Sequence, residues 1–152
     1  ITSQMSPFEN RYSDEKIFEI SGFLCADGCN HTNNTKVSIF LQETDVNILE
    51  KFKNLIQPDK PLGYYKKNGG SNQYSLQISN KRISDKLNEL GCIPRKTFTL
   101  DFPNNKQVPK HLLKHYMRGF FDGDGWLGEK DISITSSIQF CEKLSKKLLT
   151  EL

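Results

Sequence analysis

No apolar run in the chain approaches the ~18 residues a membrane-spanning helix needs. Tryptophan occurs once and methionine twice in 152 residues. The first ten residues, "ITSQMSPFEN", contain no initiator Met and no apolar h-region. A secretory signal is therefore not expected, and the chain reads as a processed or trimmed piece of an intracellular protein. Cysteine is sparse too. Cys25, Cys29, Cys92 and Cys141 do not have the spacing of a zinc ribbon or finger. Cys25 and Cys29 with His31 are a weak candidate metal set, and buried thiols in a reducing cytosol are the better expectation. Arginine is rare, with four residues against 17 lysines and 12 asparagines, a bias associated with an AT-rich genome.

What is present fits one compact domain, 36% hydrophobic and 26% charged. A net charge of +3 and a pI near 8.6 permit nucleic-acid binding without requiring it. Ser13 followed by Asp14 and Glu15 predicts a helix start, and that helix should run through "KIFEISGFLCAD" to a C-cap at Gly28. "TKVSIFLQ" alternates as a half-buried strand, with Val37, Ile39 and Leu41 on one face and Lys36, Ser38, Phe40 and Gln42 on the other. Asp45 is placed to cap the helix "VNILEKFKNLI". Two strand-like runs flank Asn68-Gly69-Gly70, a hairpin signal. In the second, Tyr74, Leu76 and Ile78 oppose Gln73, Ser75 and Gln77. Asn80 and Gly91 should bound a third helix.

A Pro-containing connector leads to a helix starting near Pro109, then a strand in "DISITSS" and a last helix. The predicted order is αββαββα, then αββα, so residues 13–91 form one unit and 92–110 the connector. Residues 111–152 begin a second copy of that unit. His111 and His115 lack the glutamate of a HExxH zinc site. "DGDG" lacks the acid that closes a calcium loop.

One motif occurs twice. "ISGFLCADG" ends at Gly28 and "MRGFFDGDG" ends at Gly125. Gly22 with Ala26, and Gly119 with Gly123, give each helix a face without bulk, so the two can pack backbone to backbone. Asp27 and Asp124 then stand side by side, where their repulsion pushes one pKa up and a divalent cation relieves it.

These paired motifs resemble those of the LAGLIDADG homing endonucleases in their single-chain, two-motif form. The resemblance implies an α+β, pseudo-two-fold αββαββα fold with an incomplete second repeat, whose sheets saddle the DNA major groove. It implies a site-specific double-stranded DNA endonuclease serving the homing of an intron or intein. The cofactor would be Mg²⁺, with Mn²⁺ able to substitute, bound at Asp27 and Asp124 beside Gly28 and Gly125. Asp122 matches the first acid of the motif, and Cys25 departs from it. Lys96 and Asp45 match positions that order water near the scissile phosphate, Ser137 being the second-half partner of Asp45. A plain helix cap is an equal reading of Asp45. DNA contacts would come from Lys36, Ser38, Gln42, Gln73, Ser75 and Gln77. Tyr64, Lys66 and Lys67 join them, although alternation alone leaves open which of Tyr64 and Tyr65 faces the DNA. The same family includes non-cleaving maturases and a transcription regulator, which remain the alternative, as does an inactive fragment.

Overall fold

The structure is a computed structural model that describes residues 12–31, 33 and 35–151. Among the described residues are five helices and six short strands: α1 (Asp14–Ala26), β1 (Gly28–Asn30), β2 (Lys36–Gln42), α2 (Val46–Ile56), β3 (Gly63–Tyr65), β4 (Gln73–Ser79) and α3 (Lys81–Glu89). After the connector come α4 (Leu113–Asp124), β5 (Gly125–Leu127), β6 (Ile132–Ile134) and α5 (Ile138–Glu151). The protein is thus mixed α+β, and α4-β5-β6-α5 repeats the order α1-β1-β2-α2. None of the described helices is long and apolar enough to cross a membrane.

Local chemistry sets most of the boundaries. Ser13 caps α1 by accepting from the Lys16 amide at 3.4 Å, and Asn80 caps α3 by accepting from the Ile83 amide at 3.2 Å. At the far end of α3, Gly91 takes φ +92°, so the Cys92 amide donates to the Leu87 carbonyl and the Gly91 amide to that of Asn88. That pair of bonds is a Schellman close, which needs a left-handed residue. Two expected caps differ. Asp27, not Gly28, takes the C-cap of α1, and Gly28 already belongs to β1. Asp45 occupies the N-cap position of α2, but its side chain makes no capping bond.

The first sheet runs β1-β2-β4-β3, antiparallel throughout, and β5 pairs with β6 in a separate two-stranded ribbon. Pairing of Val37 with Ile78, and of Ile39 with Leu76, puts the apolar sets of β2 and β4 on one face. That face packs on α1, α2 and α3 through Phe23, Leu49, Phe52, Ile83 and Leu87. Burying each such side chain contributes about 1.5–3 kcal/mol. Asn30 is a buried polar residue between these elements. Its amide donates to the Ser84 and Cys92 carbonyls, each at 3.0 Å, tying β1 to the end of α3.

The expectation of buried thiols is corrected at Cys25 and Cys92. Cys25 and Cys92, with Cα atoms 4.9 Å apart, form a disulfide joining α1 to the residue after α3's glycine. Residues 67 apart in sequence are brought together here by the fold. Cys29 is exposed and Cys141 half-buried, both as free thiols.

Candidate metal centre and adjoining sheet face

The site begins with the α1–α4 crossing. A Cβ on Gly22 would fall on the Tyr116 carbonyl oxygen and stand 2.9 Å from the Phe120 nitrogen. One on Gly119 would fall on the Glu19 carbonyl oxygen, and one on Gly123 would stand 2.5 Å from the Ala26 methyl. All four small residues therefore face one another, and the helices meet through their backbones. The Asp27 Oδ2 lies 3.5 Å from where a Gly123 side chain would begin, one residue from Asp124.

Both acids sit at helix C-termini, the negative end of the dipole, and neither helix has a basic residue in its last turn. Burial, the Asp124 charge and the Asp45 charge push the Asp27 carboxyl up to about 6, against the partial relief of Lys96. Burial also raises the Asp124 carboxyl, with Lys96 again opposing. Asp45 thus lies within electrostatic reach of Asp27 with its side chain uncommitted to the helix. The structure brings Asp27, Asp124, Lys96 and Asp45 into one neighbourhood.

Lys96 enters from a 3₁₀ turn (Lys96–Phe98) that follows Arg95 at φ +55°. Its ammonium donates to the Ala26 carbonyl at 3.0 Å and to the Gly28 carbonyl at 2.7 Å. Burial lowers its pKa, while Asp124, Cys29 and Asp27 hold the charged form in place. The Gly28 carbonyl is therefore occupied by a lysine, and Gly125 is paired with Ile134 across the β5–β6 ribbon. Lys96→Met keeps the apolar stem and removes both charged hydrogen bonds, so it is expected to cost about 2–3 kcal/mol. A lower urea midpoint at an unchanged slope is the expected reading.

Hard carboxylate oxygens are the donors Mg²⁺ prefers, and it takes one or two of them while keeping waters. Asp27 and Asp124, with a net negative surround, fit that ion. Among the described residues no three His, Cys, Asp or Glu side chains gather into a metal-holding group. The Ser137 hydroxyl is committed elsewhere. It is buried, donates to the Leu100 carbonyl and accepts from the Phe140 amide at 3.2 Å, capping α5. Asp122 is exposed beside the α1–α4 crossing and lines a groove of about 330 Å³ with Lys16, Glu19 and Lys51.

The sheet's other face adjoins these carboxylates through Cys29, which pairs with Ser38. Register resolves the alternation. Tyr65 pairs with Gln73, and Gln73 with Gln42, so these three share the polar face. Tyr64 pairs with Tyr74, ring centroids 5.0 Å apart, on the face that also carries Leu76 and Ile78. Tyr65, and not Tyr64, therefore shares the polar face with Gln42 and Gln73, although both rings are about half exposed. Ser38 and Ser75 do lie on the polar face, but both are covered. Ser38 is bonded to His31 Nε2 at 2.9 Å, and Ser75 lies in the row between Phe40 and Gly63. Gln42 is exposed and Lys36, Gln73 and Gln77 half-buried, with Lys66 and Lys67 exposed beyond β3. Phe40 lies on this face and is exposed, which alternation alone does not tell.

Compared with protein-family models the chain matches none, and a comparison with curated proteins gives no significant match.

Proposed function

We propose that the chain is a site-specific, divalent-metal-dependent double-stranded DNA endonuclease of the LAGLIDADG homing type. The observation that carries this reading is the α1–α4 crossing, where glycine-to-backbone contact sets Asp27 and Asp124 within each other's field. A carboxylate pair at two helix C-termini is electrostatically costly, and a bound cation would offset that cost. Asp27 and Asp124 would hold Mg²⁺, which when bound supplies charge neutralisation and a more acidic water at a phosphodiester. Lys96 holds the Ala26 and Gly28 carbonyls on either side of Asp27 and so sets where Asp27 stands. Asp45 supplies an acceptor able to orient water. The polar sheet face, contiguous with the acids through Cys29, would hold the duplex.

A randomised duplex library offered with Ca²⁺ and then Mg²⁺ tests this. The parent chain is expected to enrich a site in Ca²⁺ and to cut it in Mg²⁺, and Asp124→Asn to bind it without cutting. Cutting retained by Asp124→Asn would remove the paired carboxylates from the mechanism. A second reading, binding without cleavage, is favoured by the second half: its ribbon has two strands against four, and Trp126, Leu127 and Ile132 are exposed there. Enrichment by the parent with no Mg²⁺-dependent cutting would select it.

A further inference from the structure

Two large aromatic rings stand in water on the face of the first sheet that should be polar. Phe40 is 43% exposed and Tyr65 46%, with centroids 6.0 Å apart at 51°. They belong to strands that do not touch, β2 and β3. Phe40's own row continues only with Ser75 and Gly63, which leaves its ring room to lean over β4 toward Tyr65 in the next row. Gly63 is part of this arrangement, since a Cβ there would stand 2.6 Å from the Ser75 hydroxyl and 3.3 Å from the Tyr65 ring.

Around this ridge the register is regular. Gln42, Gln73 and Tyr65 form the row on one side, and Ser38 with Gln77 the row on the other. Same-face rows of an antiparallel sheet are about 6.8 Å apart, close to two base-pair steps of ~3.4 Å. The side chains that read G·C pairs are scarce here. None of the four arginines lies in β2, β3 or β4, and those strands contain no Asp or Glu to accept from cytosine. Glutamine is the bidentate partner of adenine, and an aromatic surface is a partner for the thymine methyl. Lys36, Lys66 and Lys67, which form no ion pair among the described residues, bring positive charge to the rim.

We infer that this face reads A·T base pairs in the major groove of duplex DNA, seating thymine methyls on the Phe40–Tyr65 ridge and adenine edges on Gln42, Gln73 and Gln77. The inference rests on the proposed DNA-binding reading and adds the class of sequence it selects. The mutual tilt of the rings argues against a platform for unpaired bases, which stack on open, roughly parallel faces.

The full chain is equilibrated with a randomised duplex library in Ca²⁺, and the enriched duplex is resynthesised with deoxyuridine for thymine. The expected result is a site containing a block of A·T pairs, bound roughly fourfold more weakly for each contacted methyl removed. A Phe40→Ser/Tyr65→Ser variant should bind thymine and uracil duplexes alike while melting at the parent's temperature. A site that is enriched without an A·T block, or that is indifferent to uracil with the parent chain, would overturn the inference and leave DNA binding standing. No enriched duplex at all would overturn both. Preference for single strands over the enriched duplex would make the ridge a stacking platform and also overturn the inference.

Discussion

Gly119→Ala is expected to destabilise the chain by about 2 kcal/mol or more, where the same change on an exposed helix face would stabilise it. Two effects oppose each other. Alanine is the better helix former by about 1 kcal/mol. Against that, the added methyl would land on the Glu19 carbonyl oxygen and stand 3.0 Å from the Phe23 nitrogen, both backbone atoms that no rotamer can move aside. Overpacking typically costs 1–3 kcal/mol, and more where backbone must shift. The steric term should win, because parting α1 from α4 disturbs the shared core of Phe23, Tyr116 and Phe120. Gly22→Ala should behave alike, since its Cβ meets the Tyr116 carbonyl. Gly70→Ala is the control, its Cβ meeting nothing nearer than the Lys67 side chain at 3.9 Å. Thermal melts of the three variants decide the matter. A neutral Gly119→Ala would mean that the helices do not pack as closely as described, and the pairing of the acids would fall with it.

That crossing was legible in the sequence because its signal is local and doubled. Small residues four apart define a bare face on one helix, and only a second such face nearby gives that face a use. Gly69, at φ +84° in the hairpin, was legible for a comparable reason, since a tight turn demands a residue free to adopt it. Less could be read where the answer depends on a distant partner. Alternation divides Tyr64 from Tyr65 but does not say which one shares the polar face; that is set by the register, which puts Tyr65 opposite Gln73. Ser38 looked free on its strand and is covered by His31, seven residues away. Asp45 and Ser137 looked equivalent, yet Ser137 caps its helix and Asp45 does not. Here position misled: a cap residue that fails to cap has its carboxylate available elsewhere, and for Asp45 that is toward Asp27. The Asn30 and Cys25–Cys92 links carried no sequence signal of their own, being made only when α3 closes over β1.

Asp27→Asn should raise stability at neutral pH while abolishing Mg²⁺-dependent cutting. In the unfolded chain this carboxyl ionises near its ordinary 3.8, but in the fold only near 6. Between those values the folded state holds more protons than the unfolded one, so stability falls as pH rises through the window and stays low above it. Asp27 is half-buried and partly screened by solvent, which reduces the effect to on the order of 1 kcal/mol at pH 7.5. Asparagine has no such ionisation, so the variant's melting temperature should be flatter from pH 4 to 6 and higher than the parent's above it. Some slope should persist from Asp124, whose carboxyl is raised in the same direction. Added Mg²⁺ separates a functional acid from a merely strained one. An ion that binds only the folded parent stabilises it by about 2.7 kcal/mol at a hundredfold excess over its dissociation constant. That gain should appear in the parent above pH 6, where Asp27 is ionised, and be largely absent from Asp27→Asn. If the variant is instead less stable at pH 7.5, with Mg²⁺ indifferent to both, the Asp27 carboxylate is serving a partner within the fold. The charge at the helix crossing would then be structural, and the proposed metal centre would lose its main support.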